Sequence, residues 1–339
     1  MNLPSVNDLE VSGKRVFLRT DFDVPLKDGK VTDSSRIDEA LPTIDLLLAH
    51  DAKIILLSHL GRPGGKKEAS LSLLPVALYL SNLLGKRIPL VNTCEEISGQ
   101  KEDVIMLENL RFFPGEEANS EQFAYALASR GEVYVNDAFA CSHREHASIV
   151  GLPKFLPSAF GLDCLHEVSV LSEVRNAPRR PVVLVLGGAK GDKIEIAKRL
   201  SSWADWILIG GNLTSEGKNL SKKDKLIGEL TPDGKDINEE TINRFKEIIF
   251  QGKTIVWSGP MGVYEEKNSE KGTQKIAQAI IESKAYTVIG GGDTEAALEK
   301  FGLEKNVSYL SSGGGAMLEF LADGTLPGIE AIKGGKRHG

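Results

Sequence analysis

Several things are scarce in this sequence, and each scarcity excludes something. The three cysteines, Cys94, Cys141 and Cys164, include no CxxC pair and cannot make a full disulfide set. That pattern fits a compartment that keeps thiols reduced, and the cytoplasm is expected. No uncharged apolar run reaches the ~20 residues that a membrane helix needs. The opening stretch, MNLPSVNDLEVSGKRV, has neither a basic n-region nor an apolar h-region, so neither membrane anchoring nor export is expected. A basic surplus is missing too: 41 Lys+Arg stand against 47 Asp+Glu, a net charge of -6. This argues against nucleic-acid or membrane-surface partners and confines any basic site to a local patch. Absent as well are low-complexity tracts, a GxxxxGK[ST] P-loop, the HRD and DFG pair of protein kinases, and a GxGxxG after the first strand.

What is present is a βα rhythm. The runs RVFLRT, KIILLS, RIPLV, VIMLEN and VYVND in the first half, and PVVLVLGG, WILIGG, TIVWSG, TVIGGG and VSYLSS in the second, read as strands separated by helical patterns. Near-continuous apolar strands alternating with helices predict α/β architecture, with doubly wound, Rossmann-like parallel sheets covered on both faces. With 339 residues and 41% hydrophobic content, two such domains are expected. The boundaries read from the sequence are 1–158 for the first domain, 159–178 for an interdomain helix and linker, and 179–325 for the second domain. A tail, 326–339, returns to the first domain and ends in a frayed GGKRHG.

In parallel sheets ligands collect beyond the carboxyl ends of the strands. The residues that come after four of the first five strands are Asp21 and Asp23, His59 and Arg62, Arg111, then His143, Arg144 and His146; Arg36 opens a helix nearby. Arginines gathered at one edge of an acidic protein point to a small, highly charged anion, because the guanidinium fork matches phosphate and carboxylate geometry. Singly, each could be a surface charge or a carboxylate partner. Cys141, His143 and His146 look like a metal constellation, but no second ligand cluster completes a zinc site. After the later strands come glycines instead: Gly187-Gly188, Gly210-Gly211, Gly259, Gly290-Gly291-Gly292 and Gly313-Gly314-Gly315. Turns of this kind before helices let backbone N–H groups approach phosphates. Lys190 and Lys193 flank the first of them. Asp293 suits a magnesium ion, with an ordinary helix N-cap as the plainer alternative.

The blocks RTDFDVPL, SSRID, SHLGRP, LENLRF, NDAFACSHREHAS, GGAK, SGPMGVYE, GGGDT and SSGGGAMLEFL, in this order over nearly the whole chain, resemble the phosphoglycerate kinase family. The resemblance implies a monomeric two-domain hinge enzyme that passes a phosphoryl group reversibly between 1,3-bisphosphoglycerate with Mg-ADP and 3-phosphoglycerate with Mg-ATP across a closing cleft. By that similarity Asp21, Phe22, Asp23, Arg36, His59, Leu60, Gly61, Arg62, Arg111 and Arg144 bind phosphoglycerate, and His143 and His146 line the basic patch. Arg36 also faces the transferring group. On the nucleotide side, Lys190 and Lys193 neutralise phosphates, Gly210, Gly211, Pro260, Gly290 and Gly291 shape the site, and Glu265 takes the ribose hydroxyls. Asp293 holds Mg2+, Thr294 caps the phosphate-binding helix, and Gly292 and Gly314 offer N–H donors to the group in flight.

The chain also departs from the family pattern. Asp23 and Ser258 stand where the family has Asn, and the GGAKGDK turn is one residue short. Several tens of residues that frame the adenine are missing after WILIGGN. These departures leave two further readings: a catalytically weak or inactive relative that binds phosphoglycerate or a partner protein, and a kinase acting on another phosphorylated acid.

Overall fold

A computed structural model describes residues 3–188, 191–218 and 225–335. Two compact units emerge, one comprising the residues up to Ser169 together with those from Leu326 onward, the other Val170–Thr325. Each is built on a six-stranded, wholly parallel sheet with helices, as the βα rhythm predicts. In the first unit the strands lie in the order Leu90–Val91, Val104–Leu107, Lys53–Leu57, Arg15–Thr20, Val133–Asp137, Ser158–Phe160. In the second the order is Lys225–Ile227, Trp206–Ile209, Val182–Leu186, Thr254–Ser258, Tyr286–Gly290, Tyr309–Ser311. Among the described residues, no helix is long and apolar enough to cross a membrane.

Local chemistry explains these elements. The central strands Val182–Leu186 and Thr254–Ser258 are buried at every position, the signature of a sheet covered on both faces. Helix Ser35–Ala49 buries Ile37, Ala40, Ile44 and Leu47, a spacing that puts one apolar stripe on the sheet. Helix Glu239–Ile249 starts where the Asn238 side chain accepts the Thr241 N–H, and it buries Ile242, Phe245 and Ile249.

Two sheet strands and a small hairpin, Leu26–Lys27 with Lys30–Val31, escape a reading by pattern. Ser158–Phe160 has three residues between Pro157 and Gly161, inside a stretch that otherwise reads as linker. Lys225–Ile227 is an equally short, half-buried edge strand. Neither is long enough to show a period.

The linker forms helix Leu162–Asn176. Its first turn is fastened by Thr43 Oγ1, which accepts the Leu162 N–H at 2.9 Å, and by Asp137 Oδ1, which accepts the Cys164 N–H at 3.0 Å. Burial raises the Asp137 carboxyl to about 6. Asp163 is pushed to about 8, by burial first and then by Asp137, Glu39 and Glu167. A carboxyl raised on folding stabilises the fold below its unfolded pKa of about 3.9, and that contribution is lost as pH rises toward the folded value. Asp163→Asn, which mimics the protonated form, is therefore expected to stabilise the protein by ~2 kcal/mol near pH 8. The two proteins should unfold together at about pH 3.5, as thermal melts across that range would show.

From Pro327 to Gly334 the chain is helical, and the Gly328 N–H donates to Ser142 O at 2.8 Å. A Cβ on Gly328 would lie 2.9 Å from an Ile149 methyl, so this helix packs tightly on the 142–153 segment of the first unit.

Candidate functional site

Beyond the strand ends of the first unit, the charged residues singled out in the sequence come together. Arg36 pairs with Asp21 at 2.7 Å. His59 Nδ1 lies 3.7 Å from Asp21 Oδ1, and its Nε2 lies 3.8 Å from Asp23 Oδ2. Asp23 Oδ1 accepts the Gly61 N–H at 2.8 Å, and Arg111 donates to Gly61 O at 2.7 Å. Arg144 is close enough for its charge to act on both Arg111 and His146, and His143 acts on His146 in the same way. Arg62 is exposed just after the Gly61 turn. Phe22 and Leu60 are different: both side chains are buried in the hydrophobic core, so their contribution here is backbone. The Phe22 N–H donates to Ser58 Oγ at 2.8 Å, which holds the turn carrying Asp21 and Asp23.

Beneath this edge runs a buried network that the sequence reading misses. Arg19, fully buried on the first strand, donates through Nε to Ser148 Oγ at 3.0 Å and through Nη1 to Thr20 O. Ser148 donates on to Glu116 Oε1 at 2.6 Å, while Glu116 Oε2 accepts the Ser148 N–H at 2.9 Å. Glu116 is itself fully buried. The second Arg19 terminal nitrogen lies 3.3 Å from His59 Nδ1. Guanidinium can only donate, so Nδ1 holds the lone pair and the proton sits on Nε2. The only linear hint is a charged residue inside RVFLRT.

Electrostatics derive from this packing. Burial, then Arg19, Arg111 and Arg36, drive the His59 pKa well below the ordinary imidazole range. Burial, then Arg111, Arg19 and Arg144, push His146 to about 3. Both rings are neutral at pH 7 and serve as hydrogen-bonding groups, while the arginines supply the positive charge. The metal constellation also changes. Among the described residues Cys141 groups with Asp21 and His59, whose ligand atoms lie within 4.8 Å of one another, and not with its sequence neighbours His143 and His146. Arg19, Arg36 and Arg111 surround that trio and make it a place for an anion, not a cation.

In the second unit the glycine turns meet at the strand ends. Gly188 N–H donates to Pro260 O at 2.8 Å, and a Cβ on Gly211 would lie 3.1 Å from Gly188 N. Gly187, Gly259 and Gly314 cannot carry a side chain; a Cβ on Gly187 would lie 2.2 Å from Pro260 O. Gly259 has φ +96° and would place a Cβ 2.1 Å from Gly187 O, while a Cβ on Gly314 would lie 2.6 Å from Gly290 O and 2.7 Å from Ser258 Oγ. Lys193 lies near the start of helix Asp192–Arg199, and its ammonium group donates to Gly187 O at 3.0 Å and to Ser258 O at 3.1 Å. Lys193 thus reaches the ends of two adjacent strands. Lys190 lies outside the described residues.

Helix Gly292–Lys300 opens on Gly291, so Asp293 is not its N-cap; it stands exposed in the first turn. Thr294 does not cap the helix either. Its Oγ1 accepts the Gly259 N–H at 2.7 Å, which ties the turn after one strand to the helix after the next. Gly210, Pro260 and Gly290 are buried, and Gly292 is exposed. Glu265 is exposed, and its charge and that of Asp293 both act on Tyr264.

Farther along the chain after Trp206–Ile209, the stretch 235–237 is firmly attached. Buried Asp236 accepts N–H groups of Ile237 at 2.8 Å and Gly272 at 2.7 Å, while Lys235 O accepts the Val263 N–H at 2.8 Å. These bonds fasten it to the loop that carries Glu265.

Two parallel-sheet units, one ending its strands in arginine and histidine and the other in glycine turns before helices, define the class: a two-domain α/β protein whose strand ends carry groups chemically suited to anions. The sequence model of phosphoglycerate kinase matches residues 6–224 and 214–324. Curated phosphoglycerate kinases of Dictyoglomus turgidum and Thermosipho africanus are 41% and 40% identical, over 97% and 98% of this chain and 98% of each relative. Among solved structures, phosphoglycerate kinase from Coxiella burnetii superposes with TM-score 0.79 at 33% identity, covering 98% of this chain and 99% of that one. The enzyme from Pyrococcus horikoshii reaches 0.83 at 27% identity, covering 98% of both. The chain belongs to the phosphoglycerate kinase family. Its alignment with the D. turgidum protein runs over 387 positions although the chain has 339 residues, so the relative carries segments that this chain lacks. The two stretches of the family match meet at 214–224, just beyond strand Trp206–Ile209.

Proposed function

We propose that this protein is an active phosphoglycerate kinase, a phosphotransferase moving a phosphoryl group reversibly between 1,3-bisphosphoglycerate with ADP and 3-phosphoglycerate with ATP. The observation that carries this reading is Lys193, anchored at two strand ends among the glycine turns, in a chain about 40% identical to curated kinases over nearly its full length. In the direction of ATP use, a carboxylate oxygen of 3-phosphoglycerate attacks the γ-phosphorus. The bond from that phosphorus to the β–γ bridging oxygen breaks, and ADP leaves. Little covalent chemistry is asked of the protein; alignment and charge stabilisation do the work.

In this reading Arg36, His59, Arg62, Arg111 and Arg144 hold 3-phosphoglycerate, with Arg36 toward the reacting carboxylate. Lys193, with Lys190, and the N–H groups of Gly292 and Gly314 take the charge on the transferring oxygens. Mg2+ fits Asp293, because a single exposed carboxylate beside phosphate oxygens is the ligand set this ion favours. Bound there it neutralises phosphate charge. Direct transfer requires the two ligands to meet, so closure of the units in the reacting complex belongs to the proposal, as do a monomer, a cytoplasmic location and no nucleic-acid or membrane partner.

Asp23 adds a carboxylate where the substrate brings negative charge. In Asp23→Asn the side-chain oxygen still accepts the Gly61 N–H and one negative charge goes. KM for 3-phosphoglycerate is expected to fall about threefold, ~0.7 kcal/mol, with melting unchanged. An unchanged KM would remove the motive for a different phosphorylated acid as substrate.

The deciding assay is steady-state ADP formation from Mg-ATP and 3-phosphoglycerate, coupled to removal of the bisphosphate, with Lys193→Ala alongside. A rate abolished in the variant establishes the kinase. No rate above the variant, with 3-phosphoglycerate still binding by calorimetry, makes this a binding protein on an enzyme scaffold.

A further inference from the structure

The sheet of the first unit has a second edge, where its strands begin. There, about five residues or on the order of 16 Å from the strand ends, a cleft of about 290 Å³ opens. Its apolar lining is Ile54, Ile55, Ile97 and Ile105, all buried within the fold. Arg15, Lys53 and Lys101 bring positive charge to it, and Glu102 brings one carboxylate. Arg15 donates its backbone N–H to Glu132 at 3.0 Å, but its guanidinium has no hydrogen-bond or ion-pair partner among the described residues. The Lys101 ammonium has none either. The carboxylates in and around the cleft are already engaged: Glu102 in its lining by Arg87, Asp103 by Lys53 and Lys86, and Glu132 by the Arg15 N–H. In a chain of net charge -6, this edge is locally positive.

We propose that this cleft binds a small amphiphilic anion: a carboxylate on a single-ring or short aliphatic body of roughly six to eight carbons, matched to a volume at the low end for ligand sites. The apolar body leaves water against the isoleucine wall, a gain that scales with each methylene buried. The carboxylate supplies the Arg15 fork with the charge-assisted partner it lacks. An apolar wall with an unpaired guanidinium at its mouth selects for both halves of such a molecule together. This site stands apart from the residues assigned to phosphoglycerate, which lie beyond the opposite ends of the same strands.

The probe is octanoate, titrated into the full-length protein carrying 13C-labelled isoleucine δ1 methyls, with 3-phosphoglycerate saturating throughout so that its own site is occupied. Saturable shifts centred on Ile54, Ile55, Ile97 and Ile105 are expected. Arg15→Gln should weaken binding at least tenfold and Lys101→Gln about threefold, and butyrate and octanol should each bind at least tenfold more weakly than octanoate. Turnover of both variants should match the parent and certify their folding. Shifts confined to other isoleucines, octanol binding as well as octanoate, or an undiminished affinity in Arg15→Gln would each overturn the proposal.

Discussion

Lys193→Ala is expected to lower kcat at least a hundredfold, about 3 kcal/mol of transition-state stabilisation, while shifting KM for either substrate far less. The ammonium is held by two backbone carbonyls, Gly187 O and Ser258 O, which fixes its position. A fixed charge at strand ends needs no reorganisation when charge develops on the transferring phosphoryl oxygens, which is why its loss falls on kcat. The variant also loses two hydrogen bonds between turns, so a melting curve has to accompany the kinetics. A modest drop in melting temperature with a hundredfold loss of kcat fits the proposed role; an equal loss in both would make Lys193 a strut of the glycine turns. Lys193→Arg should not restore the rate, because its planar fork does not reproduce a point charge in that confined space, where a Cβ on Gly259 would already lie 2.6 Å from the ammonium.

Arg19→Leu is expected to destabilise the first unit by about 3–5 kcal/mol, since it strands a fully buried Glu116 without its counter-charge. Arg19→Leu with Glu116→Leu should recover much of that loss, because replacing both members of a buried pair removes the desolvation penalty along with the attraction. The probe matters here. Trp203, Trp206 and Trp257 all lie in the second unit, so tryptophan fluorescence tracks that unit alone and far-UV circular dichroism tracks both. In urea, the variant should show an early transition by circular dichroism that fluorescence does not see. Coincident shifts in both signals would mean that the two units unfold as one. The double variant should remain impaired in catalysis even where stability returns, because His59 loses the donor that sets its tautomer.

Much of the architecture can be read from the linear pattern. All ten runs read as strands contain one, because each run spans five residues or more in the sequence, even where the paired part is as short as Leu90–Val91 or Tyr309–Ser311. Ser158–Phe160 and Lys225–Ile227 cannot be read that way; three residues carry no period, and what makes them strands is the neighbour they pair with. At the candidate site, the recurrence of arginine, histidine and aspartate after successive strands is visible in the sequence, since parallel strands point the same way and bring the residues at their carboxyl ends to one edge. The partners of those residues are not visible. Glu116 lies in FPGEEAN, which reads as an ordinary helix surface, yet it is buried against Ser148. Thr294 reads as a cap, and its hydroxyl oxygen accepts an N–H from Gly259, 35 residues away.

What the sequence by itself determined is the alternation of strand and helix, the family, and which chemical groups come after the strands: cations in one half, bare backbone in the other. These are consequences of local pattern, where period and residue type suffice. Only the tertiary structure decided which charges are buried, which are paired and which titrate away from their usual range. Cys141 meets His59 and Asp21 and not its own neighbours, and Asp163 is pushed to about 8 by burial and by carboxylates brought up from other elements. The energy of a charge depends on its distance to other charges and on the water around it, and the folded chain sets both.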